Sequence, residues 1–398
     1  MGRGLRASCL ALMSSGLATL AYPAIAFAGP IDDLAAAAKV EGELNVIALP
    51  RDWCGYGGII DDFKIKYGLR VNELKPQISS EEEIDAIRAA RDNATTPAPD
   101  VIDVGLSFGP AAKREGLLQP YKVRAWDSIP SAAKDAEAYW YGDYYGTLVF
   151  EVNANFVSKM PRDWADLLAP EYRNSVALGG NPSSNQAVLT VFAAGLSTSG
   201  GNAETATERG LDFFSELHRK GNFVPVVGRF DAFVDGRTPI MVRWDYLALG
   251  DRDSLAGKIR VEVIRPQTAV VAGVYVQGIS ALAPHPNAAR LWMEYLYSDE
   301  TQLAWLKGNC QPIRLAGLLH DDKVPADLRK GIRPSGRDRG NPEPFFPTLE
   351  QQEKARDTIM NGWGSIVGVD IECVPEEPAP LGPMSFNIPK AAPMCLPQ

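Results

Sequence analysis

A two-lobed α/β fold is the class this sequence predicts, and three observations lead to it. At 398 residues the chain exceeds what one ordinary hydrophobic core organises, so two lobes are the natural division. Its first third alternates strand-like and helix-like runs, the pattern of a parallel sheet flanked by helices. Two strand-forming runs, at 147–152 and 273–280, bracket a middle block that repeats the alternation. Such a pair lets the chain leave one lobe, build a second and return.

The elements follow in order. Residues 31–40 form a short helix, 44–49 a buried strand, and 50–57 a loop holding Asp52, Trp53 and Tyr56. Ile59, Ile60, Phe63 and Tyr67 share one face of a helix over 58–67. A strand at 70–74 precedes a helix over 81–91, with Ser79 or Ser80 as N-cap and acids in its first turn. A third strand, 100–104, ends in a loop with Ser107 and Phe108 before a helix at 111–115. In such sheets ligands collect at the carboxyl ends of the strands.

Tyr141, Asp143, Tyr144 and Tyr145 form an aromatic cluster at the entrance of the 147–152 strand, and a loop and short helix fill 157–168. The middle block carries strands at 175–178, 222–227, 239–244 and 259–264, with helices to about Leu196, over 206–220 and at 230–235. Helices over 287–297, 298–307 and 350–361 follow, and the proline-rich last thirty residues are expected to lie extended on the surface.

A net charge of −9 and a pI near 5.1 argue against nucleic acid as a partner. Arg3 and Arg6 precede a mostly apolar run, and Ala26-Phe27-Ala28 has the form of a signal-peptidase site, so export with cleavage after Ala28 is expected. Cys9 leaves with that peptide. The remaining Cys54, Cys310, Cys373 and Cys395 allow three pairings in an oxidising compartment; Cys54 with Cys310 and Cys373 with Cys395 is the expected one. No two cysteines have metal-ligand spacing and the histidines stand apart, so neither metal nor cofactor is expected.

Signatures of hydrolases, metalloproteases and phosphate-loop enzymes are absent, so no enzyme is expected. Trp53, Tyr56, Tyr144, Tyr145, Trp244, Tyr246 and Tyr275 all fall at strand ends or in the loops after them. With Asp52, Asp143 and Asp245 they suit a cation or a small polar solute. The turn 179–185 frees its backbone through two glycines and offers Ser183 and Ser184 at a helix start, which suits an anion or carbonyl group. Arg243 and Asp245 alternate with Trp244 along their strand.

GELNVIALP, APDVIDVG, YYGTLVFEVN, FVDGRTPIMVRWDY and above all GVYVQGISALAPHPNAARLWMEYLYSDETQLAWL resemble the periplasmic solute-binding proteins of ABC importers, in the group that includes polyamine and ferric-iron binders. The likeness covers about Gly42 to Arg314 and implies the two-lobe, type 2 periplasmic-binding fold. Each lobe is then a mixed sheet flanked by helices, with hinge strands at 146–153 and 274–281. The implied division is a signal peptide (1–28), a first lobe (29–146), a second lobe (147–273), a return to the first (274–330), and a C-terminal helix and tail packed on the first lobe (331–398).

The resemblance further implies a monomer in the periplasm that takes up a small solute and hands it to a membrane permease served by an ATPase. A polyamine-like amine, sandwiched by Trp53 and Trp244 and hydrogen-bonded by Ser107, Asp245 and Gln277, is the favoured solute. Gln277 stands where polyamine binders carry an acid, and Tyr144-Tyr145 do not match the ferric motif. An anionic or zwitterionic solute such as a phosphonate or carboxylate near Ser183, Ser184 and Arg243, or ferric iron, is the alternative, with an exported enzyme on the same fold ranked behind them.

Overall fold

The computed structural model describes residues 26–27, 31–93, 95–332 and 343–372. The expected cleavage after Ala28, the Cys373–Cys395 pairing and nearly all of the proline-rich tail lie outside the described residues. A two-residue strand, β1 (Ala26–Phe27), comes first. It is followed by α1 (Ile31–Glu41), β2 (Glu43–Ile47), α2 (Tyr56–Tyr67), β3 (Arg70–Leu74), α3 (Ser80–Asp92), β4 (Val101–Gly105) and α4 (Phe108–Arg114). Ser79 caps α3 in a reciprocal box: its hydroxyl accepts from the Glu82 N–H at 3.4 Å, and Glu82 accepts from the Ser79 N–H at 2.8 Å.

Short strands β5 (Leu118–Gln119) and β6 (Tyr121–Lys122) lead to β7 (Tyr141–Asn153), a single 13-residue strand. The aromatic cluster therefore lies within this strand and not at its entrance, because residues 141–147 pair with the returning strand. The middle block follows as β8 (Val176–Leu178), α5 (Asn185–Thr198), α6 (Ala206–Arg219), β9 (Phe223–Val227), α7 (Phe230–Val234), β10 (Ile240–Trp244), α8 (Asp245–Ser254) and β11 (Val261–Ile264). Helix α8 was not expected: Asp245 and Tyr246 open a helix where the sequence read only a strand end. The chain returns through β12 (Ala272–Ser280) to α9 (Pro286–Leu296), α10 (Asp299–Lys307), β13 (Gln311–Pro312), α11 (Leu315–His320) and α12 (Leu349–Ile366).

All of these strands except β1 and β6 join one curled sheet, with the path β3-β2-β4-β12-β7-β10-β8-β9. Pairing is parallel from β3 through β2 to β4 and from β10 through β8 to β9, as the βαβα alternation requires. It turns antiparallel where β12 and β7 enter, which makes each lobe's sheet mixed. The two crossing strands pair with each other from Ala272 opposite Thr147 to Gln277 opposite Tyr141, so one ladder runs through both lobes.

Helix α12 corrects one expectation. It packs on α5 and α6 of the second lobe, burying Gln352, Ala355, Ile359 and Trp363 along one face. Its contacts with the first lobe are polar or edge-on: Arg114 pairs with Glu353 at 3.0 Å, and Arg356 lies over the Phe108 ring at 5.1 Å. The apolar stripe found its partner in the nearly continuous hydrophobic surface of α5, which buries twelve residues in succession.

Gly146 and Gly273 face each other in the crossing ladder, and neither position has room for a side chain. A Cβ at Gly146 would lie 2.5 Å from the Tyr246 ring, and one at Gly273 would lie 2.3 Å from Trp244. Gly273→Ala is therefore expected to lower stability by about 1–3 kcal/mol in urea denaturation. Gly364→Ala, in α12 with nothing within 4 Å of the added methyl, is expected to raise it by about 0.5–1 kcal/mol.

Candidate functional site

The strand ends of both lobes enclose a cavity of about 350 Å³. From the first lobe it receives Asp52 and Trp53, on the loop after β2, the N-terminus of α3 with Ser79, Ser80, Glu82 and Glu83, and Asp103 from β4. The second lobe supplies Gly179, Gly180, Asn181 and Ser184 before α5, Asn185 and Gln186 in its first turn, Arg229 and Phe230 after β9, and Arg243 from β10. Tyr144 and Tyr275, on the two crossing strands, form its back.

The loop that carries Asp52 and Trp53 is fixed covalently. Cys54 and Cys310 form the expected disulfide, with Cα atoms 5.4 Å apart, tying this loop to the segment just before β13. Strand β13 pairs with β7, so the staple anchors the loop to the crossing ladder. Trp53 then donates its indole N–H to the Tyr144 hydroxyl at 2.7 Å. Its ring lies 5.4 Å from that of Tyr246 and 5.6 Å from that of Tyr275, and Tyr144 stacks on Tyr275 at 5.4 Å. Trp53 and these tyrosines form an aromatic wall.

Beneath that wall lies a polar network. Tyr56 and Tyr144 both donate to Asp103, at 2.8 and 2.9 Å, and Gln277 donates to Tyr56 and to Asp143, both at 3.0 Å. Glu83 accepts the Asp103 backbone N–H at 2.9 Å. Burial pushes the carboxyls of Glu83 and Asp143 well above their usual range, and that of Asp103 up to about 7.

Arg243 is committed elsewhere. It donates to Glu151 at 3.2 Å and to Asp251 at 2.7 Å. Burial pushes Glu151 up to about 8, with Arg243 acting against that shift. Burial pushes the Asp251 carboxyl upward, with Arg243 acting against the shift and Asp52 adding to it.

Of the residues singled out from sequence, Asp52, Trp53, Tyr144, Ser184, Arg243 and Tyr275 line the cavity. Tyr56 and Gln277 lie under it in the polar network, and Ser107 and Phe108 are buried at the start of α4. Tyr145 turns to Phe346, at 5.2 Å, and Ser183 holds its turn by donating to Asn181 at 2.6 Å. Asp245 accepts from the Thr147 hydroxyl, bracing the crossing strand.

Trp244 is fully buried behind Tyr246 and Tyr275, so the Trp53–Trp244 sandwich is not formed. Trp244→Ala is thus expected to cost about 3–5 kcal/mol of stability, read in urea denaturation. Sequence reasoning missed the floor and the opposite rim: Glu83, Asp103, Asn181, Asn185 and Gln186. Asp103 ends the strand 100–104, and Asn185 follows the serines of the turn; both positions were in view as strand and helix ends.

Asn185 marks how closely the lobes meet. Its side chain packs on Gly105, where a Cβ would lie 2.3 Å from it, and it reaches toward the Tyr275 hydroxyl without forming a well-shaped hydrogen bond. Among the described residues, no group of histidine, cysteine, aspartate and glutamate side chains is arranged to hold a metal ion. Gly105→Ala is expected to hold the lobes apart at this point. It should raise the radius of gyration in small-angle scattering while the separate cores stay folded.

Residues 96–331 match the family model described as bacterial extracellular solute-binding protein. A probable ABC transporter periplasmic-binding protein of Sinorhizobium fredii, y4fP, is 26% identical over 172 residues, which is 40% of this chain and 47% of that relative. The chain thus spans about half the length of that curated relative. Three solved structures share the fold over 82% of this chain. AfuA from Actinobacillus pleuropneumoniae, with fructose-6-phosphate bound, has a TM-score of 0.63 at 18% identity and is covered over 98% of its length. Iron-bound HitA from Pseudomonas aeruginosa has 0.59 at 17%, and the spermidine/putrescine-binding PotD from Streptococcus pneumoniae 0.56 at 15%, each covered over 99%.

Proposed function

Because the chain belongs to the bacterial extracellular solute-binding protein family, we propose that it captures a small amine-bearing solute between its lobes. In this reading the protein works in the periplasm and delivers the solute to a membrane permease driven by an ATPase. The charge of the cavity carries the reading. Asp52, Glu82, Glu83 and Asp103 line it with Arg229 and Arg243, and Arg243 is already held by two further carboxyls. Burial favours the neutral form of Glu83, so Asp52, Glu82 and Asp103 are the acids left to meet a cation. Carboxyls beside an aromatic wall suit a cationic group, which gains from both ring faces and carboxylates.

Capture needs no covalent chemistry. A solute touching Asp52 and Trp53 on one side and the 179–186 segment on the other binds the closed arrangement better than an open one. Differential contact of this kind drives closure. The crossing ladder of β7 and β12 is the element about which the lobes would rotate.

A second reading draws on the other rim. Helix α5 begins at the cavity with Ser184 as its cap, two glycines precede it, and the Asn185 amide N–H₂ there has no well-formed partner. A solute with an acidic or carbonyl group as well as an amine would use this end.

Native mass spectrometry of protein isolated from the periplasm without refolding tests the class. The expected result is a bound small mass carrying an amine, together with a higher melting temperature on adding putrescine or spermidine. A phosphorus-containing acid without an amine as the bound mass would contradict the reading. Trp53→Ala should weaken amine binding by about tenfold or more, a loss of about 1.4 kcal/mol or more, in a protein that still folds but unfolds at a lower midpoint, because the Tyr144 hydrogen bond and the ring contacts are lost.

A further inference from the structure

Three carboxyl groups are packed together under the cleft with no cation among their partners. Glu83, Asp103 and Asp143 are 1%, 5% and 0% exposed. They are linked through the Asp103 backbone N–H to Glu83, through Tyr56 to Asp103, and through Gln277 to both Tyr56 and Asp143. One oxygen of Asp103, Oδ1, and the Gln277 carbonyl oxygen have no hydrogen-bond partner. Two unpartnered acceptors beside three buried acids are costly if all three are charged, and a proton shared among them removes much of that cost.

We propose that this floor is a proton switch centred on Asp103: with the proton on, it presents a neutral donor to the cleft, and with the proton off, an anion. The inference rests on the interlobe cavity being the solute site. Glu83 and Asp103 both line the cavity, and of the two Asp103 is the one with a buried oxygen that has no hydrogen-bond partner and with a chain of hydroxyls leading to the aromatic wall.

The groups that face Asp103 come from every element packed on it. They are Tyr56 from α2, Glu83 from α3, Asp143 and Tyr144 from β7, Tyr246 from α8, Tyr275 from β12, and Tyr297 after α9. All are acids or phenols. Arg243 acts on Tyr246 from the far side but spends its hydrogen bonds on Glu151 and Asp251.

The sign follows directly. Burial raises the Asp103 carboxyl to about 7, so the group is neutral below that pH and charged above it. A cationic solute is then held more tightly as pH rises through neutrality, and its binding drives a proton out. An anionic solute shows the opposite dependence.

The switch can be read without any solute, so its test is separate from that of the amine reading. Trp53 donates to the Tyr144 hydroxyl, which donates to Asp103, and the indole therefore reports the carboxyl's charge. The difference in tryptophan emission between the wild type and Trp53→Phe is followed from pH 5 to 9 in solute-free protein. The expected result is one step with its midpoint near pH 7.

Asp103→Asn abolishes that step, and so does Tyr144→Phe, which removes a single hydroxyl and keeps Asp103. No step across this range would overturn the proposal. So would a step that survives in Tyr144→Phe or in folded Asp103→Asn. A clear step in a protein that binds no amine would leave the switch standing and count against the amine alone.

Discussion

The pairing of β7 with β12 is the constraint on which the rest of this molecule depends. Two strands that cross between lobes carry one hydrogen-bonded ladder through both, so the lobes share a sheet and yet hang on a narrow waist. Facing glycines at Gly146 and Gly273 leave space there for Tyr246 and Trp244 to pack flat over the ladder. In front of those rings, Tyr144 and Tyr275 on the two strands form the back wall of the cavity. The disulfide extends the same logic, because Cys310 precedes the strand that pairs with β7 while Cys54 follows Trp53. Both covalent and packing restraints on the site therefore trace to one pair of strands.

The cleft's character follows from what the waist excludes. Side chains that point inward from β4, β7 and β12 have no water to solvate them, and the sequence places acids and tyrosines there with no lysine or arginine. Burial then decides their protonation more strongly than any neighbour does. Of the two arginines on the opposite wall, Arg229 and Arg243, the second is held by its own acids, Glu151 and Asp251. The acids and rings facing the cavity, and not a pair of tryptophans, are what support the proposed amine reading.

Much of the fold was legible in the sequence because it depends on local pattern. The alternation before Gly105, the capping of α3 and the two crossing strands all follow from side-chain periodicity and turn residues. The site was legible in part. Asp52 and Trp53 follow a strand end, where a parallel sheet gathers ligands, and they line the cavity, whereas Tyr275 reaches it from the middle of the crossing strand β12. Trp244 could not be placed by pattern: alternation fixes which residues share a face, not that a glycine on a distant strand opens a slot for this ring. Asp103 is a similar case, since its partners Tyr56, Tyr144 and Glu83 come from three other elements. The place of α12 on the second lobe also required knowing that α5 exposes an apolar surface behind the cavity, a tertiary fact with no local signal.

Closure on a solute is the claim at the centre of this account, and small-angle scattering tests it most directly. Protein taken from the periplasm with its solute would be compared with the same protein stripped by extensive dialysis. The account predicts a smaller radius of gyration for the loaded form and a larger one after stripping. Identical scattering from the two forms, with the solute shown to be present in one and absent from the other, would contradict it.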